Sequence, residues 1–144
     1  MPTDSSAIDD ALIAKLLGDA TLMALTPDGV YMDEANPRAQ RFVIVSLVTE
    51  RASMVFEGRA IEDTLYSVKA VILVASGGNA RAAAARIDEL LDEGTLSVSG
   101  YGFMAVFRDD DDGRIRYTEI DAADKETRWQ HRGGRYRVQV SPLG

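Results

Sequence analysis

A chain of 144 residues, 46% hydrophobic and 27% charged, has the length of one ordinary domain and enough apolar material for a core. It holds no cysteine and one histidine, which removes disulfides, thiolate nucleophiles, cysteine metal sites and paired-histidine sites. Sixteen basic against 23 acidic residues give a formal charge of −7, which opposes broad contact with a phosphate backbone. Apolar runs such as residues 70–75 fall far short of the roughly 20 residues that span a bilayer. Residues 1–10 carry acids and neither a basic nor an apolar leader region, so the expected setting is the cytoplasm or a particle assembled there.

Ile8, Leu12, Ile13, Leu16 and Leu17 recur at helical spacing, which predicts an amphipathic helix over residues 7–17 ended by Gly18. Asp19 is placed to cap a second helical stretch reaching residue 25, and Thr26-Pro27-Asp28-Gly29 reads as a turn. Residues 30–32 suit a short strand, and Asn36-Pro37 opens a polar connection ending near Gln40. Residues 42–48 are β-branched and almost continuously apolar, the pattern of a central strand covered on both faces. Residues 53–58 are a shorter strand or a loop.

Tyr66, Val68, Ala70, Ile72 and Val74 alternate with Ser67 and Lys69, and the second face turns apolar only at Val71, so one end of this strand is expected to be exposed. Gly77-Gly78-Asn79 leads into a helix over 80–91, with Asn79 as N-cap and Gly94 in the position of a C′ glycine. A short strand over 95–98 follows. Residues 103–107 and 114–120 read as a hairpin whose turn is the acidic run 109–113, and 121–126 as a polar connection. In the last strand Tyr136, Val138 and Val140 share one face and Arg135, Arg137 and Gln139 the other, with Gly133-Gly134 as a bulge or tight turn before it. Two main helices and five or six strands joined by short loops predict an α+β fold, a mostly antiparallel sheet with the helices on one face, in one domain over residues 1–144.

Charge is segregated along the chain. Asp4, Asp9, Asp10, Asp19, Asp28, Asp33 and Glu34 precede residue 35 with Lys15 as the single base, whereas Arg128, Arg132, Arg135 and Arg137 close the chain without an acid. Opposed ends suit head-to-tail contact between identical subunits, with Asp9 and Asp10 on one side and Arg132, Arg135 and Arg137 on the other. The alternative is that the two segments pair within one subunit.

Several groupings invite chemistry. In an EF-hand frame Asp110, Asp112, Gly113 and Glu119 fall on positions three, five, six and twelve, but Arg108 stands at position one and the flanks read as strands, so a solvated turn is expected. Gly77-Gly78-Asn79 lacks the ending of a P-loop and the spacing of a dinucleotide fingerprint, which leaves a strand-to-helix turn. His131 has acids upstream but no nucleophile elbow in the chain, so a structural or interfacial histidine is expected. Glu62 and Asp63 are sequence neighbours on an extended segment, where side chains diverge; they are expected to be solvated at the start of a strand. Trp129, Tyr136, Tyr101 and Phe103 are too few to argue for a single-strand stacking platform, and Tyr136 alternates like a core residue. No catalytic residue, metal site or cofactor is expected.

The opening segment 7–17 with the turn to Gly29-Val30-Tyr31, the strand Phe42-Val43-Ile44-Val45-Ser46 and the helix 80–91 followed by Thr95-Leu96-Ser97-Val98-Ser99-Gly100 occur in an order that resembles a known layout. With the terminal segment 127–140, containing His131-Arg132-Gly133-Gly134-Arg135-Tyr136-Arg137-Val138, the chain resembles the small tail completion proteins of tailed bacteriophages, relatives of tail terminators and head–tail joining proteins. The acidic run 109–112 and residues 53–59 have no place in that pattern. The resemblance implies a non-enzymatic virion protein of the tail or neck, made in the host cytoplasm. It would form a ring, commonly a hexamer, at the top of the tail tube, with the tail tube protein and the head–tail connector as partners. DNA would enter only as cargo passing through the lumen, where acidic residues would repel the duplex and let it slide. The rival readings are a small ligand-binding or hydrolytic α+β domain using carboxylates, and a dimeric bacterial adaptor.

Overall fold

The computed structural model describes residues 6–54, 60–111 and 113–143. Three helices, α1 (Ser6–Leu17), α2 (Ala20–Leu25) and α3 (Ala80–Leu91), accompany six strands: β1 (Val30–Met32), β2 (Arg41–Met54), β3 (Ala60–Leu73), β4 (Tyr101–Arg108), β5 (Ile115–Ile120) and β6 (Arg128–Pro142). The strand order is β1-β2-β3-β6-β4, and β5 also pairs with β6. β1 runs parallel to β2 and every other pairing is antiparallel, so the fold is α+β with a mostly antiparallel sheet.

The helices lie on one face of this sheet. Ile8, Leu12 and Leu16 of α1, Leu22 of α2 and Ala83, Ile87 and Leu91 of α3 are buried against Val43 and Val45, Tyr66, Val68 and Ala70, and Tyr136, Val138 and Val140. The period-two alternation in β3 and β6 therefore selects the core face, as expected. Asp19 caps α2, accepting from the Leu22 N–H at 2.8 Å, and Asn79 caps α3, accepting from the Ala82 N–H at 3.0 Å. The second face carries a smaller cluster, Ala39, Phe42, Ile44 and Val71, flanked by Tyr31, Ala35 and Trp129. β2 is thus covered on both faces from Phe42 to Val45, but it is not central: its outer neighbour β1 spans three residues, and Leu47 and Val48 are exposed.

Several expectations need correction. Residues 103–107 and 114–120 do not form a hairpin. β4 pairs with the C-terminal half of β6 and β5 with its N-terminal half, on the same edge, so the two strands run end to end and the acidic run is a break between them. The hairpin is β5–β6, closed by residues 121–127, where Asp121 accepts from the Ala123 and Asp124 N–H groups. Residues 95–98 are not a strand, although Leu96 and Val98 are buried. After α3 the left-handed residue is Glu93 (φ 57°), not Gly94. Gly94 is needed for closeness instead, since a Cβ there would lie 2.2 Å from the Leu90 carbonyl oxygen. Gly133 and Gly134 lie inside β6, paired with Lys69 and Val68, and form neither a turn nor a bulge. Glu62 is buried rather than solvated, accepting from the Tyr101 hydroxyl at 3.1 Å. Of the stretch 53–58, residues 53 and 54 extend β2, and the rest lies outside the described residues.

Among the described residues no helix is long and apolar enough to cross a membrane.

Candidate interaction surfaces

Parity along β6 divides the arginines that the sequence grouped together. Arg132 is two residues before Gly134 and four before Tyr136, and so lies on the helix-bearing face; Arg135 and Arg137 lie on the other. Arg137 is occupied within the chain. Its Nη1 donates to Asp63 Oδ1 at 3.1 Å and its Nη2 to Asp109 Oδ2 at 2.7 Å. The guanidinium holds the Asp109 carboxyl below the usual carboxylate range. This arginine pairs within the chain, and the three arginines do not form one patch. At the acidic end, Asp9 turns inward and accepts from the Tyr66 hydroxyl, whereas Asp10 is exposed. Burial pushes the Asp9 carboxyl up, with further upward contributions from Asp10, Asp33 and Glu50, against the lowering effect of the Tyr66 bond.

A basic groove lies where sequence alone does not place one. Between α3 and the β5–β6 edge opens a cleft of about 650 Å³ lined by Arg81, Arg108, Arg114, Arg116 and Arg132, with Asp88 and Glu89 as its acids. Both acids are engaged. Asp88 accepts from Arg108 Nη1 at 2.8 Å and from the Tyr136 hydroxyl at 2.9 Å, and Glu89 accepts from Arg86 Nη1 at 2.8 Å. Arg81, Arg114, Arg116 and Arg132 have no ion-pair partner among the described residues. Arg116 and Arg132 are moreover direct partners across the β5–β6 ladder, a like-charge pairing that weakens a sheet unless something anionic meets it.

The remaining polar groupings are structural. The break between β4 and β5 gives its carboxylates to separate arginines, Asp109 to Arg137 and Asp110 to Arg108 at 2.6 Å; Asp112 lies outside the described residues. Gly77 is left-handed (φ 74°) after a single 3-10 turn (Val74–Ser76), and a Cβ on Gly78 would lie 2.7 Å from Ile72, so this glycine pair serves a tight strand-to-helix turn. His131 stacks on Tyr117, with centroids 4.3 Å apart and planes at 11°, and its Nε2 lies 2.7 Å from Glu119 Oε1. Trp129 packs edge-on against Phe42, while Tyr101 and Tyr136 are buried on the opposite face, so these aromatics share no surface.

No protein-family model matches the chain, and a search of curated proteins finds no match. Solved structures share its fold from end to end. A chain of the virion of a native gene transfer agent particle superposes with a TM-score of 0.68 at 21% sequence identity, covering 98% of this chain and 99% of that one. A second solved chain gives a TM-score of 0.54 at 14% identity, covering 99% and 98%.

The groove is not legible in the sequence because its arginines come from α3, the end of β4, the start of β5 and β6. The signal was present only in part: Arg114 and Arg116 alternate around Ile115, which puts two positive charges on one face of a strand.

Proposed function

We propose that this chain is a structural component of a tailed-phage-like particle, acting as a ring at the head-proximal end of the tail tube. There it ends tube polymerisation and presents a surface to the head–tail connector. The observation that carries this reading is the full-length likeness to a virion chain of a gene transfer agent particle, to which the resemblance to tail completion proteins adds the position in the particle. Rings need interfaces that repeat head to tail, and a hexamer is the ring size that the resemblance implies. DNA would pass through such a ring as cargo. In this role the chain needs no catalytic constellation.

The test is assembly. Purified protein mixed with tubes of a tail tube protein from the same genome should appear as a ring on one tube end by negative-stain microscopy, and tubes so capped should stop growing. Tubes that lengthen unchanged, beside a protein that stays a discrete dimer at every concentration, would overturn the proposal.

A further inference from the structure

We propose that the arginine groove between α3 and β5 receives the acidic α1–β1 edge of a second copy of this chain, so that copies join head to tail. The inference rests on the ring reading above and names the surfaces that close the ring.

Two independent imbalances carry it. On the groove side, Arg81, Arg114, Arg116 and Arg132 converge without an ion-pair partner among the described residues, and the two acids of the groove are already engaged. On the other side, α1 and the end of β1 gather Asp9, Asp10, Asp33 and Glu34. Asp10, Asp33 and Glu34 are exposed and have no ion-pair partner among the described residues. Burial is the main cause that raises the Asp9 carboxyl, and the neighbouring Asp10 and Asp33, with Glu50, raise it further. Each patch holds an excess of one sign that the other would neutralise.

Their placement decides between contact within a molecule and contact between molecules. Among the described residues β1 is one end of the strand order and pairs with β2 alone, and β5 lies on the opposite edge and pairs with β6 alone. No ion pair joins the two patches within one copy among the described residues. Placed edge to edge, two copies bring them together, and because the two surfaces differ the contact repeats in one direction, as a ring requires. Although each copy carries a net charge of −7, that repulsion is screened beyond about 8 Å at physiological salt, so the charges in contact decide the outcome.

The experiment uses the full chain with exposed positions altered: a groove variant, Arg114→Glu with Arg116→Glu; an edge variant, Asp10→Lys with Glu34→Lys; and a chain carrying all four changes. Association is followed by native mass spectrometry and sedimentation velocity, with circular dichroism to verify folding. Wild type should form species larger than a dimer that dissociate as salt is raised, and each double variant should associate about tenfold or more weakly. The fourfold variant, and an equimolar mixture of the two double variants, should recover assembly because opposite signs again meet. If a reversed chain misfolds, Arg116→Gln and Asp10→Asn replace it, with the same direction expected. Double variants that assemble like wild type and still cap tubes would overturn this interface and leave the ring reading standing. A wild type that neither self-associates nor caps tubes would overturn both. Groove variants that self-associate normally but lose binding to the tube or connector protein would assign the groove to that partner and overturn the proposal.

Discussion

Arg137 clamps Asp109 across the β4–β6 edge, with Nη2 2.7 Å from Oδ2 and both side chains largely buried. The contact sits where β4 ends: the Asp109 N–H donates to the Arg135 carbonyl at 2.8 Å, and the chain then leaves the ladder until β5 begins. One guanidinium thus ties the break between two collinear strands to β6 and, through Asp63, to β3.

Replacing Arg137 by Met should therefore destabilise the fold. Hydrogen bonds to charged groups contribute about 1.5–3 kcal/mol, and the substitution leaves two part-buried carboxylates without their shared donor, so a loss of about 2–4 kcal/mol is expected in urea unfolding. An interface role for Arg137, one of the two readings its charge allows in sequence, would leave the melting temperature within a few degrees of wild type on reversal; its pairing with Asp63 and Asp109 predicts a loss of stability instead. The acid dependence has a definite sign. With the Asp109 carboxyl depressed, its contribution is complete above the unfolded value near 3.9 and is lost as pH falls through the lower folded value. The difference between wild type and Arg137→Met should shrink over that range, and a variant as stable as wild type would remove the clamp from the account.

The two glycines in β6 make a paired prediction. A Cβ on Gly133 would lie 2.1 Å from the Val68 carbonyl oxygen and 2.5 Å from the Lys69 Cα, both backbone atoms that cannot turn aside. A Cβ on Gly134 would meet nothing nearer than the Tyr136 ring at 3.5 Å. Gly133→Ala should cost about 3 kcal/mol or more by forcing β3 and β6 apart, while Gly134→Ala should stay within about 1 kcal/mol of wild type. Thermal melts of the two variants side by side decide it, and equal stabilities would contradict the close approach.

Legibility in the sequence followed the range of the determinants. Alternation at Tyr66, Val68 and Ala70 and at Tyr136 and Val138, and the caps at Asp19 and Asn79, are local, and each stands where periodicity and capping chemistry put it. The reading failed where pairing was remote. An acidic run ending in Gly113 (φ 74°) looks like a reversal, and whether it reverses depends on β6. At 15 residues β6 is long enough to hold the eight of β4 and the six of β5 in line on one edge, and that match of lengths was the available clue. The basic groove was invisible for the same reason, since Arg81 reaches it from a helix, Arg114 from just before β5, Arg116 from β5 and Arg132 from β6. Glu62 reads as solvent-facing by type and is buried because the Tyr101 hydroxyl, almost forty residues away in sequence, comes to meet it.

The single histidine gives the last prediction a clean probe. His131 is buried against Tyr117, and its Nδ1 has no hydrogen-bond partner among the described residues. Burial lowers its pKa below the ordinary value near 6.5, nearby Lys69 lowers it further, and the Glu119 carboxylate raises it without reversing the sign. Between the folded and unfolded values the unfolded chain binds more protons, so stability rises with pH through that window and falls as the protein is acidified below the ordinary value near 6.5. An NMR titration of the imidazole ring should give a midpoint below 6.5. Glu119→Gln should move the midpoint lower still, because the group favouring the charged ring is gone. His131→Asn should flatten the stability profile over the same window. A midpoint at or above 6.5 would mean that the exposed Glu119 carboxylate outweighs burial, and acidification would then strengthen the β5–β6 hairpin instead of loosening it.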